Sequence, residues 1–181
     1  TDFIITVPDV CHRENLEVPE WTKKGEFIRR EELLQKSLIR SIGVITNANS
    51  IRDSLINFYK VDPDRVHVIN QQPSDKIRNF IHNPDIYKEF KKKFKLPNSF
   101  LFYPAMYLPQ KNHKYIINTL NILDKEYNIK MGAVFCGADK GYLSNLKKYY
   151  NDLNLDNEVV FLYFVESKYL PYFYKDCFAL A

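Results

Sequence analysis

The sequence predicts an α/β protein built from two units, each with a parallel sheet. Strand-length runs rich in β-branched and aromatic residues alternate with helix-length amphipathic segments along the chain. The runs are continuously apolar, as in strands covered by helices on both faces. The alternation lapses once, over "NQQPSDKIRNFIHNP" (residues 70–84), and then restarts, which marks an interdomain linker. At 181 residues, 45% hydrophobic and 15% aromatic, the chain can build a core for one sizeable domain or for two incomplete ones.

Taken in order, "FIITV" (Phe3 to Val7) is a buried strand ended by Pro8. "GEFIRREELLQKSLIRSI" is a helix with Phe27, Leu34, Leu38 and Ile42 near helical spacing and charges between them. "GVITN" is a strand, and "NSIRDSLINFY" a helix capped by Asn49 or Ser50 with Ile51, Leu55 and Phe58 on one face. "VDPDRVHVIN" supplies a turn at Asp62–Pro63 and a third strand. Beyond the linker, "DIYKEFKKKF" is helical with Ile86, Phe90 and Phe94 in register. Strands "SFLFYPA", "IKMGAVFCG" and "EVVFLYF" then alternate with helices "NHKYIINTLNILDKEY", "KGYLSNLKKYYNDL" and "KYLPYFYKDC". The closing "CFALA" is an apolar strand with no cap or polar tail after it, the pattern expected of a piece of a longer protein.

The net charge of +4 is modest and the lysines are dispersed apart from Lys91–Lys93, a run best explained as a solvated helix face rather than a nucleic-acid surface. Cys11, Cys136 and Cys177 form no CxxC and no metal-ligand spacing, and are expected as reduced thiols of a cytosolic protein. No apolar run approaches the roughly 20 residues that span a bilayer, so any membrane contact is expected to be peripheral.

In an open α/β sheet, ligands bind outside the carboxyl ends of the strands. Four loops leave such ends. The first, "TVPDVCHRENLEVPEW", carries Asp9, His12, Arg13, Glu14, Glu17 and Glu20; Asp9 and His12 suit acid/base or orienting work, and solvated loop charges are the alternative. In the second, Lys111 stands at a helix start directly after a strand, where an ammonium and free backbone N–H groups together suit a phosphate; a solvent-facing lysine is the alternative. His113 beside it is expected to be packed or solvent-facing rather than a ligand. The third, "VFCGADKGYL", offers Gly137 for close approach of a ligand or backbone, Asp139 as a helix cap and Gly141 as a turn glycine. The fourth, past Phe164 in "FLYFVESKYL", presents backbone that could meet a planar base, or simply core. GxGxxG, the P-loop, HExxH, EF-hand and Ser-His-Asp patterns are all absent.

The segments "TVPDVCHRENLEVPEW", "GVITNANSIRDSLINFYKVDPDRVHVIN", "FLFYPAMYLPQKNHKYIINTL", "AVFCGADKGYLSNLKKYY" and "VVFLYFVESKYLPYFYKDCFALA", in this order, resemble the group one (family four) retaining glycosyltransferases with the GT-B fold. The resemblance implies two Rossmann-like βαβ units, both incomplete. Residues 1–73 would be the end of the N-terminal acceptor domain plus the linker, and residues 74–181 the first half of the C-terminal donor domain. It implies a nucleotide-sugar donor such as a UDP- or GDP-sugar, a glycan or lipid-linked acceptor, no metal or cofactor and no nucleic acid. The setting implied is cytoplasmic, at the inner face of the membrane, in cell-surface polysaccharide synthesis.

Position by position, Lys111 matches the lysine of the family's "G-R-L-x-x-x-K-G", with Met106 at the arginine and Ala105 and Asn112 at the glycines. Gly137 and Asp139 match a "GxG" lining the donor site, and Phe164 and Val165 match the nucleobase-receiving "FL-G-x-V", with Tyr163 replacing the glycine. Asp9 and His12 would face the acceptor, with Pro8 in place of the family's usual residue. The "E-x(7)-E" region would begin just after Ala181, so these residues by themselves are expected to be inactive or nearly so. A non-catalytic α/β interaction module or a degraded glycosyltransferase segment is the alternative.

Overall fold

A computed structural model describes residues 2–181. It is an α/β protein with two all-parallel sheets, and the chain divides into two compact units, one ending at Gln72 and one running from Pro73 to Ala181.

The first unit contains β1 (Ile4–Thr6), the one-turn helices α1 (Cys11–Glu14) and α2 (Pro19–Thr22), α3 (Glu26–Arg40), β2 (Gly43–Thr46), α4 (Asn49–Tyr59) and β3 (Val66–Val68). The strands are ordered β1-β2-β3, with Ile5 opposite Val44 and Ile45 opposite His67. One apolar cluster joins Val7, Val44 and Val66 to Leu34 and Leu38 of α3 and Leu55 of α4. The buried stripe of α3 runs through Glu31, Leu34 and Leu38, whereas Ile42 lies beyond the helix and is exposed. On α4, Leu55 points inward as expected but Phe58 faces out, and the partly buried Tyr59 packs against the core instead. Neither Asn49 nor Ser50 caps α4: both are within it, and the extended Ala48 precedes it without a side-chain cap. Asp62 accepts the amide of Asp64 at 3.0 Å, making the expected turn before Pro63.

The second unit contains α5 (Asp75–Arg78), α6 (Pro84–Lys93), β4 (Phe100–Tyr103), α7 (His113–Tyr127), β5 (Gly132–Cys136), α8 (Leu143–Asp152), β6 (Val159–Leu162), α9 (Leu170–Asp176) and β7 (Ala179–Leu180). The polar stretch expected to be a bare linker thus includes one helical turn, α5. The strand order is β6-β5-β4-β7. Every residue of β5 is buried, and its side chains alternate: Ala133 and Phe135 join the cluster under α7 and α8, while Val134 and Cys136 join Phe90, Tyr172 and Phe173 under α6 and α9. Both faces are therefore covered, which is why these strands are continuously apolar in sequence. Lys91 and Lys93 close the last turn of α6, where cations favour the helix dipole, and pair with Asp176 and Glu166 across exposed surface.

Candidate functional site

In the second sheet every strand ends on the same edge. The chain first steps from β4 outward to β5 and β6, then returns to place β7 on the other side of β4. The loop after β4 therefore lies at the topological switch point, where sheets of this kind bind ligands. Residues 104–112 make that loop. A 3-10 turn spans Pro109–Lys111, Asn112 takes the left-handed conformation at φ 47°, and α7 begins at His113. Lys111 thus stands just ahead of α7 rather than on it. It is exposed and forms no ion pair among the described residues, and its carbonyl accepts the Tyr103 hydroxyl at 2.9 Å. With Tyr103, Asn112, Tyr115 and Ala181 it lines a cleft of about 350 Å³.

Beneath the lysine, His113 is fully buried, its ring 5.0 Å from those of Tyr103 and Phe135 and 5.2 Å from that of Tyr107. It is a packed residue, as the sequence suggested. Burial, assisted by the Lys111 cation and opposed by the Ala105 backbone, holds its imidazole down to about 4, so it is neutral at pH 7.

Two further loops share this edge. Gly137 is where the loop after β4 rests on the end of β5, and a Cβ there would collide with the Ala105 carbonyl and lie 2.9 Å from the Met106 Cα. The close approach anticipated for this glycine is thus made by backbone. Asp139 accepts the amides of Gly141, Tyr142 and Leu143 at 2.8, 3.1 and 3.2 Å, capping α8, and these N–H groups hold its carboxyl below the usual range. Gly141 adopts φ 88°, so the turn itself requires a glycine. β6 stops at Leu162, leaving Tyr163 and Phe164 outside it, 57% and 85% exposed, while Val165 packs inward. Met106 is 42% exposed on the same loop as Lys111. The edge therefore gathers Met106, Lys111, Gly137, Asp139, Phe164 and Val165: among them a cation and exposed aromatic surface, which together can meet an anion beside a planar group.

On the loop after β4, Tyr107 is a residue that sequence reasoning missed. It is wholly buried, and its hydroxyl lies 3.1 Å from the Phe135 carbonyl and 2.7 Å from that of Leu162. The available signal was its chemistry, since a buried tyrosine needs a partner for its hydroxyl.

In the first unit, the loop after β1 folds into α1 and turns its charges inward. Asp9 pairs with Arg30 at 2.7 Å and accepts the Cys11 amide at 3.2 Å. Burial alone would raise the Asp9 carboxyl, but these two partners bring it below the ordinary value. His12, expected to face an acceptor, is instead fully buried, with Nε2 2.8 Å from Glu31 Oε1 and 3.3 Å from the Tyr59 hydroxyl. The reason is Glu31, a buried carboxylate that also accepts Arg13 through Nε at 2.7 Å and through a second guanidinium nitrogen, together with Tyr59 and Gln35. Burial would raise Glu31, yet Arg13, Tyr59 and His12 hold it at about 2. Arg13 stacks over Tyr59 and Arg30 over Trp21. Among the described residues no group of three or more His, Cys, Asp or Glu side chains could hold a metal ion, and no helix is long and apolar enough to cross a membrane.

The chain is similar to the O-antigen chain mannosyltransferase RfbU of Salmonella typhimurium, 28% identical over 148 residues, covering 82% of this chain and 37% of that protein. Its fold is similar to crystal structures of Anabaena Alr3699/HepE. One, in complex with UDP and glucose, gives a TM-score of 0.70 at 16% identity over 98% of this chain and 45% of that one; a second, with UDP, gives 0.66. The chain thus spans less than half the length of each of these relatives, and its two parallel-sheet units correspond to a fragment of a GT-B architecture. The family model "Glycosyl transferases group 1" matches residues 87–181, more than half of the chain, and the chain belongs to the group 1 glycosyl transferases.

Proposed function

We propose that the chain is the part of a retaining, family-four glycosyltransferase that binds a nucleotide sugar at the carboxyl edge of its second sheet. The sugar passes to a glycan or lipid-linked acceptor in cell-surface polysaccharide synthesis, in the cytoplasm at the inner face of the membrane. The observation that carries this reading is the unpaired Lys111 at the switch point of the second sheet, beside the first turn of α7 and on one edge with Gly137 and Phe164. Charge that develops on a departing diphosphate is stabilised by a preorganised cation and helix-end N–H groups. Lys111 supplies that cation, Gly137 the seat on which the Lys111 loop rests, and the exposed loop after β6 the surface for a base. The UDP and glucose in Alr3699/HepE and the mannosyltransferase activity named for RfbU support a nucleotide sugar as the ligand class.

On the acceptor side, Asp9 and its Arg30 partner are the partly buried pair, and His12 acts from within by shaping the loop. The transfer needs no metal, so saturating EDTA should leave the rate of the whole enzyme unchanged. Calorimetric titration with UDP, GDP and their sugars tests the donor site. Lys111→Ala should weaken the nucleotide that binds by about ten-fold or more, the scale of a lost charge-assisted hydrogen bond. Equal binding by the variant, or no binding by the natural chain, favours a non-catalytic module.

A further inference from the structure

We propose that Tyr107 is a positioning residue for the nucleotide-sugar site: its buried hydroxyl latches the loop carrying Met106 and Lys111 onto the carboxyl ends of β5 and β6. The inference rests on the reading of that edge as the donor site. Phe135 and Leu162, whose carbonyls face the hydroxyl, lie at or next to the last residues of β5 and β6. A hydroxyl has one proton, and the 2.7 Å distance assigns it mainly to Leu162. The Leu162 carbonyl also accepts the Gly137 amide at 3.2 Å, so the loops after β4 and β5 meet the end of β6 at one oxygen. The same residue is held through its backbone, where its amide donates to Ala138 at 3.0 Å and it bridges in parallel to Asp139. Its ring lies against His113, the first residue of α7.

Gly137 gives independent evidence that the loop is seated flush, because the space a Cβ would need is filled by the Ala105 carbonyl. Tyr107 touches no ligand in this scheme. It fixes the spacing between Lys111, on one loop, and Gly137 and Phe164, on the other two. A phenylalanine would fill the same volume without the latch and would leave the Leu162 carbonyl with the Gly137 amide but without the hydroxyl.

The test compares Tyr107→Phe with Tyr150→Phe, which removes a hydroxyl donating to the Asn157 carbonyl at 2.9 Å, away from the carboxyl edge. Titration with UDP and with GDP should show Tyr107→Phe raising the Kd of the nucleotide that binds about three- to ten-fold, while Tyr150→Phe leaves it unchanged. Hydrogen exchange provides a second readout that needs no ligand, with the Lys111 and Asn112 amides exchanging faster in Tyr107→Phe. Equal Kd values for Tyr107→Phe and the natural chain, or equal thermal destabilisation by both variants with no selective change at Lys111, make the tyrosine merely structural and overturn the inference. If the natural chain binds neither nucleotide, the donor-site reading falls and takes this inference with it.

Discussion

The loop after β1 and the loop after β4 both leave parallel strands at their carboxyl ends, yet they use charge in opposite ways. In the first, Asp9, His12 and Arg13 are answered by Arg30 and Glu31, with Tyr59 completing the set. In the second, Lys111 is exposed with no ion pair among the described residues, and Met106, Tyr163 and Phe164 are exposed around the same edge. A buried charge without a partner costs several kcal/mol, so the first loop's charges are committed to its own shape. An exposed lysine at low cost remains free to meet a ligand.

The strongest way to break this contrast is Glu31→Ala. It strands His12, Arg13 and Tyr59 around an empty acceptor, and breaking a buried pair from one side costs about 3–5 kcal/mol. Urea unfolding followed by fluorescence of Trp21, the chain's one tryptophan, measures it. A loss under about 1 kcal/mol would mean that the quartet is dispensable and that the first loop is no more self-committed than the second.

Next in size is Gly137→Ala, which drives a methyl into the Ala105 carbonyl. Overpacking of this kind costs about 1–3 kcal/mol, and because the displaced backbone belongs to the Lys111 loop, nucleotide affinity should fall with it. Stability lost without any change in affinity would separate the seat of the loop from the ligand.

These two residues also mark what the sequence could and could not reveal. The strands were legible because helices cover both faces of the second sheet, which leaves apolar runs such as those of β4 and β5 unbroken. Gly137 was legible because it follows β5 directly, and Lys111 because it stands just ahead of a helix start. Glu31 was not: a glutamate in "RREELL" has the sequence context of a solvated helix face, and only the tertiary fold brings His12, Arg13 and Tyr59 to it. For the same reason His12 was expected to face the acceptor. The one-turn helices α1, α2 and α5 are too short to show a helical period, so their segments had the pattern of loops.

Acid should separate the two units. His113 is held at about 4 against an ordinary 6.5, so between those values the unfolded chain carries a proton that the folded one lacks, and this part of the stability falls as pH drops from 6.5 towards 4. Glu31 is held at about 2 against 4.5, so its contribution is complete above about 4.5 and is lost only as pH falls towards 2. Region-resolved hydrogen exchange should therefore show β4 and the start of α7 losing protection at a higher pH than α3. His113→Phe should remove the earlier loss. Simultaneous loss in both regions would contradict the assignment of these groups.

The smallest expected effect decides what Asp139 is for. As a cap it needs only an acceptor oxygen, and asparagine serves N-terminal amides about as well as aspartate. Asp139→Asn should then leave both stability and nucleotide affinity within about two-fold of the natural chain, whereas Asp139→Ala should lower the thermal midpoint slightly by freeing the amides of Gly141, Tyr142 and Leu143. A donor-binding carboxylate predicts the reverse order, with the loss of charge in Asp139→Asn changing affinity although the cap survives. Calorimetry on the two variants distinguishes these outcomes. If the asparagine variant binds differently, the open edge of the second sheet includes an acidic group as well as Lys111, and the contrast with the self-paired first loop narrows.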